Sequence, residues 1–401
     1  MVKLHNVMSL QQWLKKLETR HNKKIDLGLQ RVKQVYDNLK LAKVAPAIIS
    51  VAGTNGKGST VAILSSICQQ AGYSIGAFTS PHIINYNERI KINDQNATDT
   101  EIIKAFEIIE QNLSGITLSY FEYATLAALI IFKQHKVNIA ILEVGLGGRL
   151  DSVNVVDTDC AIITTIDIDH TAWLGDDIES IGFEKAGIMR SNKPAIYGDK
   201  SCPQAIIKHA NKINAKLHLT NHPITSLELN INGKYQSINA NTAITALKLI
   251  RPKLIITQNH VNKGLKNIKL QGRLQVISRN PQVIVDVAHN KQATTSLAYW
   301  LKQNPIKAKT IAVFAVLADK NPLTWITEFT EVIDIWCISQ VNSERTMSKH
   351  DLLAVLADSA QLITSFATVS AALDAAKILA NKADRIIVFG SFYTVSEVMS
   401  Q

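Results

Sequence analysis

Three glycines surround one lysine in the stretch SVAGTNGKGSTVA, residues 50–62. The residues before the glycines are apolar and strand-like, and the residues after them follow a helical pattern. Glycine lets a backbone wrap closely around a phosphate, and the free N–H groups at a helix N-terminus attract an anion. Lys57 would add a positive charge beside the outer phosphates. The stretch therefore predicts a cradle for a nucleotide triphosphate.

The loop departs from the strict phosphate-binding pattern at two positions. That pattern places glycine five residues before Gly56, where this chain has Val51, and a hydroxyl side chain directly after Lys57, where it has Gly58. The stretch is therefore a variant loop, and the residues predicted to contact the nucleotide are Thr54, Asn55, Gly56, Lys57, Gly58 and Ser59. The alternative is an ordinary glycine-rich turn between a strand and a helix, with the lysine in solvent.

Apolar, strand-like segments alternate with helical patterns through most of the chain. Examples are AIISVAG, SIGAFTS, NIAILEVG and CAIITTIDID, which end in polar residues or glycine. This alternation is typical of βαβ units around a parallel sheet, and such sheets bind ligands beyond the carboxyl ends of their strands. Ser80, Glu143 and His170 lie at such ends. Carboxylate oxygens can hold Mg²⁺, whereas a lone histidine at a strand end is more often a hydrogen-bonded structural residue.

The chain length of 401 residues favours two domains, because single hydrophobic cores stop growing at about 250–300 residues. The alternation weakens between residues 216 and 272, where the segment 218–237 is hairpin-like and 239–250 is typical of a helix opened by asparagine. A second α/β series follows. We therefore predict an N-terminal domain, residues 1–272, with a P-loop-type, mostly parallel sheet flanked by helices, and a smaller Rossmann-like α/β domain, residues 273–401.

The composition favours a cytoplasmic globular protein that binds small anions. The N-terminus lacks an apolar signal segment, and the longest apolar run, residues 124–132, is too short to cross a bilayer. The 4 cysteines form no CxxC pair, which argues against a zinc site or a disulfide framework. The net charge of +10 fits nucleic acid or anionic small ligands, and its spread over the whole chain favours the small ligands.

Several motifs follow one another along nearly the whole chain. They are GTNGKGST, TSPHIINYNERIKIN, FEYAT, EVGLGGRLDSVN, DHTAWLG, EKAGIMR, GRLQ, DVAHN and LADKN. In order and spacing this set resembles the folylpolyglutamate synthase family of the Mur ligase superfamily. The segments SLQQWLKKLE and KIDLGLQRV resemble the bifunctional bacterial form, which is also a dihydrofolate synthase.

The resemblance implies an ATP- and Mg²⁺-dependent ligase that joins an acid to the amine of L-glutamate. In that family the acid attacks the γ-phosphate of ATP to give an acyl phosphate, and glutamate then displaces phosphate. The implied acids are dihydropteroate and reduced folates, with one or two Mg²⁺ ions, and the implied protein is a monomer. The spread of charge and the short apolar runs already argue against nucleic-acid and membrane partners. Phosphoryl transfer needs positioning and charge neutralisation more than a protein nucleophile, and the residue types found here suit it.

The resemblance also assigns roles around the glycine loop. It places Lys57, His170 and Lys185 in catalysis, and it places Ser80, Glu143, His170 and Lys185 around the metal. Lys185 would take up CO₂ and become a carbamate that supports a second metal ion. From chemistry alone, a lysine next to Glu184 is most simply half of a surface ion pair.

Two further sets of residues match family positions. The ATP set is completed by Asn239, Arg273, Asp286 and His289, of which the last three would meet ATP across a cleft between the domains. The pterin set comprises Asp26, Leu27, Gly28, Ser119, Tyr120, Phe121, Glu122, Leu150, Asp151 and Ser152. Plainer alternatives are a linker arginine at 273, a strand terminus at 286, and core positions at Leu27 and Phe121.

Three residues depart from the family pattern. Ala172 stands where bifunctional relatives often carry aspartate, in the stretch associated with dihydropteroate use, and Asn241 and Lys291 also differ from the pattern.

Other functions are still open at this point. A cell-wall ligase acting on a nucleotide-linked sugar would usually carry an additional N-terminal domain, whereas residues 1–52 alone precede the glycine loop. A P-loop ATPase that binds nucleic acid would use the +10 charge. A non-enzymatic ATP-binding scaffold would leave the grouping of Ser80, Glu143 and His170 unexplained.

Overall fold

The computed structural model describes residues 8–23, 25–220, 228–251, 253–357 and 362–401. The chain divides into two compact units. The first holds the described residues of Met1–His82, Tyr86–Glu228 and Ile238–Ile268, and the second holds those of Ile83–Asn85, Leu229–Ser237 and Lys269–Gln401. None of the described helices combines the length and the apolar character that crossing a membrane would need.

The first unit is built on an eight-stranded sheet with helices around it. Its strands are β1 (Ala47–Ala52), β2 (Ile75–Phe78), β3 (Ile90–Ile92), β4 (Gln95–Asn96), β5 (Ile139–Glu143), β6 (Cys160–Ile163), β7 (Pro194–Tyr197) and β8 (Lys216–Leu219). Its helices are α1 (Leu10–Arg20), α2 (Gln30–Asn38), α3 (Lys57–Gln70), α4 (Asp99–Gln111), α5 (Tyr120–Gln134), α6 (Thr171–Leu174), α7 (Ile178–Ala186), α8 (Gln204–Lys212), most of α9 (Lys234–Leu249) and α10 (Gln258–Lys266).

The strands lie in the order β4-β3-β2-β5-β1-β6-β7-β8. The β2–β3 and β3–β4 pairs are antiparallel, and the other pairs are parallel. The apolar segments that predicted βαβ units form β1, β2, β5 and β6, and every residue of β1 is buried, as expected for a parallel strand covered on both faces. The predicted fold class of this unit is confirmed.

The segment predicted to be hairpin-like, residues 218–237, differs from the prediction where the structure describes it. β8 pairs in parallel with β7, so its residues form an edge strand rather than one arm of a hairpin, and residues 221–227 lie outside the described residues. Helix α9 begins at Lys234, so Asn239 lies inside the helix and does not open it. The sequence of a short half-exposed strand does not indicate whether its neighbour runs parallel or antiparallel to it. The parallel direction of β8 therefore became known only from its pairing with β7.

Helix α5 is the most completely buried helix segment near the predicted site. Ser119 caps it, accepting a hydrogen bond from the N–H of Glu122, while the Glu122 carboxylate accepts the N–H of Ser119. This capping box fixes the start of α5 at Tyr120. The apolar run from Tyr123 to Phe132 then packs into the core of the unit, with every residue buried.

The second unit contains a six-stranded sheet in the order β13-β12-β11-β14-β10-β9. Its strands are β9 (Gln275–Arg279), β10 (Gln282–Val285), β11 (Thr310–Phe314), β12 (Ile335–Ile338), β13 (Ile363–Ser365) and β14 (Arg385–Phe389), and its helices include α11 (Lys291–Gln303), α12 (Lys349–Leu356), α13 (Val369–Leu379) and α14 (Phe392–Met399). Only β9 pairs antiparallel among these described strands. The predicted second α/β domain is thus confirmed as a fold.

Candidate active site

The predicted metal and phosphate residues follow four neighbouring strands of the first sheet. The glycine loop follows β1, Ser80 lies two residues beyond β2, Glu143 ends β5, and His170 follows β6. These strands are adjacent in the order β2-β5-β1-β6 and run in parallel. Their carboxyl ends therefore share one edge of the sheet, which is where such sheets bind ligands.

Glycine is required at two positions of the loop. Gly56 has φ of 83° directly before α3. Gly53 has φ of 147°, and a Cβ there would lie 1.9 Å from Oγ1 of Thr164. Backbone N–H of Thr54 also donates to the carbonyl of Thr165 over 2.8 Å, so the loop is held against the chain that follows β6. The glycines therefore serve both the turn and this close approach.

Lys57 folds back over its own loop. Its Nζ donates to the carbonyl oxygens of Gly53 over 2.8 Å and Thr54 over 3.1 Å, and the side chain is half-buried. The lysine is therefore anchored to its own loop rather than extended into solvent, and its role in binding phosphate stays a prediction. The lysine is held where it could neutralise a phosphate bound to the N-terminus of α3.

Two hydroxyl groups at the start of α3 fit a bound phosphate or metal ion. Ser59 is 1% exposed and Thr60 is fully buried. The Oγ of Ser59 and the Oγ1 of Thr60 have no hydrogen-bond partner among the residues that the structure describes. Because an unpaired buried hydroxyl costs free energy, these atoms point to oxygen ligands or a cation supplied from outside the chain.

The Glu143 carboxylate lies against the loop. Its Oε2 accepts the backbone N–H of Ser80 over 3.2 Å, and a Cβ on Gly58 would lie 3.7 Å from the same oxygen. The described residues contain no group of three or more His, Cys, Asp or Glu side chains arranged to hold a metal ion. Mg²⁺ commonly takes one or two carboxylates and completes its shell with phosphate oxygens and water, so Glu143 and a serine hydroxyl suit Mg²⁺ bound together with a nucleotide.

His170 lies at the same edge of the sheet but is exposed. It precedes α6 with φ of 55°, and its backbone N–H donates to Oδ1 of Asp169 over 2.8 Å. Left-handed backbone is uncommon for a residue other than glycine and is often found at functional sites. Its predicted place around the metal stays a prediction.

Lys185 is buried, and only 4% of it is exposed. Its Nζ donates to the carbonyl of Gly53 over 3.1 Å. Burial and the nearby charge of Lys57 lower the pKa of Lys185 to about 7, against the opposing effect of Asp169 and Asp151. A pKa near neutrality leaves part of the amine uncharged, and only an uncharged amine reacts with CO₂.

The surface ion pair considered for Lys185 does not form. Glu184 instead pairs with Arg149, whose guanidinium lies 2.7 Å from its Oε1. Backbone N–H of Arg149 also donates to the carbonyl of Glu184 over 2.7 Å. The turn that carries Arg149 thus packs directly on α7 and covers the helix segment that holds Lys185.

The three predicted pterin segments meet one another. Backbone N–H of Gly28 donates to the carbonyl of Leu150 over 3.2 Å. The guanidinium of Arg31 pairs with Asp26 over 2.8 Å and with Glu122 over 3.2 Å. One backbone hydrogen bond and one arginine therefore join residues 26–28, 119–122 and 150–152, which are far apart in the chain.

Other members of the pterin set have structural contacts of their own. Asp151 accepts the N–H groups of Gly145, Leu146 and Val153 over 2.9 to 3.1 Å, while its burial raises the pKa of the carboxyl to about 6. Ser152 lies 2.6 Å from the Thr125 hydroxyl. Asp151 and Ser152 therefore stabilise the loop whichever ligand it binds.

Phe121 and Leu27 of the pterin set, for which core positions were the alternative, differ in burial. Phe121 is partly buried against the core, with its ring centroid 5.6 Å from that of Phe78. A Cβ on Gly145 would lie 2.5 Å from the Phe121 ring, so that glycine admits the ring. Leu27 is partly exposed and does not belong to the described core cluster. Both side chains are accessible enough to contact a ligand.

Two of the three predicted ATP residues of the second unit, Arg273 and His289, lie near one aromatic ring. The guanidinium of Arg273 lies 5.2 Å from the Phe392 ring centroid, and the His289 ring lies 6.1 Å from the same ring. Asp286 accepts the N–H groups of Leu274 and Ala288, each over 2.8 Å. Burial raises the pKa of Asp286 although Arg273 opposes the shift.

Asn239 belongs to the first unit and lies beside the glycine loop. A Cβ on Gly56 would come within 2.7 Å of its Oδ1. Sequence reasoning missed residues that contact the predicted ones in each unit: Arg31, Arg89, Thr164 and Thr165 in the first unit, and Phe392 in the second. The threonines follow a predicted strand and could have been suspected from that, whereas nothing local marks the two arginines.

Comparison with known proteins identifies the family that has this architecture. The family model described as "Mur ligase middle domain" matches residues 51–243, and the model described as "Mur ligase, glutamate ligase domain" matches residues 272–392. The dihydrofolate synthase/folylpolyglutamate synthase of Escherichia coli K12 is 40% identical over 405 residues, covering 97% of this chain and 94% of that protein. The protein of the same name from Haemophilus influenzae is 37% identical, covering 97% and 96%.

Solved structures give the same result. E. coli FolC in complex with DHPP and ADP superposes with a TM-score of 0.92 at 39% identity, covering 98% of this chain and 97% of that one. The bifunctional folylpolyglutamate synthase/dihydrofolate synthase of Yersinia pestis, complexed with AMPPNP and Mn ion, gives a TM-score of 0.90 at 39% identity, covering 98% of each chain. The chain belongs to the Mur ligase family, among the bifunctional dihydrofolate synthase/folylpolyglutamate synthases.

Proposed function

We propose that this chain is an ATP- and Mg²⁺-dependent ligase that attaches L-glutamate to dihydropteroate and to reduced folates. The observation that carries the proposal is the convergence of Lys57, Lys185 and Glu143 on one glycine loop. Both lysines donate to the Gly53 carbonyl, and Glu143 lies beside Gly58. Relatives with this fold have been crystallised with ADP, with DHPP, and with Mn, AMPPNP and L-glutamate.

The loop residues Thr54, Asn55, Gly56, Lys57, Gly58 and Ser59 would hold the phosphates of ATP. Ser80 and Glu143 would hold Mg²⁺, with His170 and Lys185 beside them as further members of the site. When bound, Mg²⁺ supplies positive charge that neutralises the phosphate oxygens. The free N–H groups of α3 and the Lys57 ammonium add to that neutralisation.

The acid then reacts in two steps. A carboxylate oxygen of the acid attacks the γ-phosphorus, the bond from that phosphorus to the bridging oxygen breaks, and ADP leaves. The uncharged amine of glutamate next attacks the acyl carbon, inorganic phosphate leaves with the electron pair of the broken C–O bond, and the nitrogen gives up one proton to solvent. The pterin segments around Asp26, Phe121 and Asp151 would fix the far end of the acid, so that its carboxylate reaches the loop.

Further parts of the proposal concern the modification, the domains and the partners. Lys185 carries a carbamate in the working enzyme. Residues 1–272 form the ATP-binding domain with the pterin site, and residues 273–401 form a second domain whose Arg273, Asp286 and His289, together with Asn239, contribute to ATP binding. The protein acts as a cytoplasmic monomer on small molecules and does not bind nucleic acid.

Mass spectrometry of the products tests the proposal. The purified protein is incubated with ATP, Mg²⁺, L-glutamate and either dihydropteroate or tetrahydrofolate, and each component is left out in turn. We expect one glutamate residue added to dihydropteroate, one or more added to tetrahydrofolate, and stoichiometric ADP. Release of phosphate at the same rate without glutamate or without the pterin would contradict the proposal, as would a salt-sensitive stimulation by DNA or RNA.

A further inference from the structure

Arg89 is a buried cation without a carboxylate partner. Only 9% of the residue is exposed. Its guanidinium lies 5.5 Å from the ring centroids of both Tyr86 and Tyr120, and its Nε donates to Nδ1 of His82 over 2.8 Å. Among the described residues no Asp or Glu lies within ion-pair distance of it.

Other stacked or half-buried arginines of this unit are neutralised. Arg20 also lies over a tyrosine, 5.9 Å from the ring centroid of Tyr123, but it pairs with Glu110. Arg31 pairs with Asp26 and Glu122. Arg89 is more deeply buried than Arg20 or Arg31 and lacks a carboxylate partner among the described residues.

The guanidinium of Arg89 has N–H groups that lack a hydrogen-bond acceptor among the described residues. It has five N–H donors, of which the His82 contact uses one. Stacking on two rings compensates for only part of the lost hydration. A second polar group beside it is also unpaired, because Tyr86 is 4% exposed and its hydroxyl has no hydrogen-bond partner among the described residues. The donors therefore suit an anion that enters from outside the chain.

The position of Arg89 identifies the kind of anion. Its carbonyl accepts the backbone N–H of Thr79 over 2.9 Å, one residue before Ser80, whose own N–H donates to Glu143. Tyr120, which its guanidinium covers, belongs to the predicted pterin set. Arg89 thus lies between the segment of the proposed metal site and the segment of the proposed pterin site. An acid that reaches from the proposed pterin site to the proposed metal site would lie near this guanidinium.

We propose that Arg89 binds the carboxylate of the acid substrate that is not activated. This inference rests on the proposed function. A folate that already carries glutamate presents two carboxylates at its end, one that attacks ATP and one that does not react. Dihydropteroate has a single carboxylate, which must react. A bidentate pair with Arg89 would hold the unreactive carboxylate and turn the other toward the γ-phosphate.

The experiment compares two substrates in three variants. KM and kcat for tetrahydrofolate and for dihydropteroate are measured in wild type, R89M and R89K, with R20M as the matched control, because Arg20 is stacked on a tyrosine but already paired. We expect R89M to raise KM for tetrahydrofolate about tenfold more than it raises KM for dihydropteroate, the effect of one charge-assisted pair. R89K should lie between, and R20M should leave the ratio of the two KM values at the wild-type value.

A substrate analogue tests the role of Arg89 in the wild-type protein, where no substitution can disturb folding. Replacing the glutamate of tetrahydrofolate by γ-aminobutyrate removes the α-carboxylate and keeps the γ-carboxylate. In wild type this analogue should bind about tenfold more weakly than tetrahydrofolate, and in R89M the difference should disappear. Equal losses for both substrates in R89M, or an unchanged preference against the analogue, would overturn the role of Arg89. Absence of any ligase product with wild type would instead contradict the proposed function itself.

Discussion

Lys57 and Lys185 donate to the same acceptor, the carbonyl oxygen of Gly53, over 2.8 and 3.1 Å. Two cations meet there in a poorly hydrated place, which disfavours the charged form of the more buried one. Burial, with the charge of Lys57 second, lowers the pKa of Lys185 to about 7. This relationship makes Lys185 the lysine of the site best suited to react with CO₂.

Carbamylation of Lys185 predicts that activity depends on CO₂. We expect wild-type activity to fall in carefully degassed buffer and to return when bicarbonate is added. K185R cannot form a stable carbamate and should be nearly inactive with or without bicarbonate, although it keeps a positive charge. Carbon-13 NMR with labelled bicarbonate should show a carbamate signal in wild type that K185R lacks. Full wild-type activity without CO₂ would contradict the modification.

The lowered pKa of Lys185 also predicts how stability depends on pH when CO₂ is absent. Between pH about 7 and 10.5, the unfolded chain holds a proton on Lys185 that the folded protein has released. The free energy of unfolding therefore rises with pH across this window, by at most about 1.4 kcal/mol per unit. K185M removes the buried charge, so it should be more stable than wild type below pH 7, with the difference shrinking toward pH 10. Urea unfolding at several pH values measures this, and a constant difference would refute it.

Removing the Lys57 ammonium should slow catalysis strongly. Preorganised charges at a phosphate typically contribute about 10²- to 10³-fold to the rate, so K57A should lose that much of kcat while unfolding at nearly the same temperature. Lys104 on the exposed side of α4 provides the control, since K104A removes a lysine charge away from the site. Rates of ADP formation at saturating substrates decide the question. A K57A rate within a factor of two of wild type would remove Lys57 from the mechanism.

Glu143 should set the affinity for the divalent cation. In E143Q the carboxylate charge is lost while the side chain keeps its size, so we expect the Mg²⁺ concentration for half-maximal activity to rise at least about tenfold, the loss of one ionic ligand. Mn²⁺ binding followed by electron paramagnetic resonance in the presence of an ATP analogue gives a second readout. E107Q, on an exposed position of α4, is the matched control. Identical Mn²⁺ titrations for E143Q and E107Q would rule out this role.

Arg31 should position the pterin segments without taking part in the chemistry. It joins Asp26 to Glu122, so R31M should raise KM for dihydropteroate about tenfold and change kcat little, because one or two charge-assisted bonds are lost. Lys33 on the same helix pairs with exposed Asp37, and K33M should leave KM unchanged. Steady-state kinetics with dihydropteroate as the varied substrate checks both variants. A fall in kcat at constant KM would argue for a different role.

Much of the fold and part of the site could be predicted because the signals are local. The apolar segments that became β1, β2, β5 and β6 are each bounded by glycine or polar residues. Gly53 and Gly56 mark backbone conformations that other residues rarely adopt. Once the strands are taken as parallel, Ser80 and Glu143 must lie at one edge of the sheet, and the N–H of Ser80 does reach the carboxylate.

The remaining features depend on residues far apart in the chain. Nothing near Lys185 in sequence indicates its burial, since the carbonyl it contacts lies 132 residues away. The partners of Arg31, the missing partner of Arg89 and the direction of β8 are likewise fixed by which elements pack together. Local sequence selects backbone conformation and the period of the hydrophobic pattern. These signals were enough to predict a glycine-loop α/β protein in which Ser80, Glu143 and His170 follow neighbouring strands of one sheet. Burial, charge pairing and pKa arise from long-range contacts, so only the folded structure could decide the state of Lys185 and the place of the two arginines.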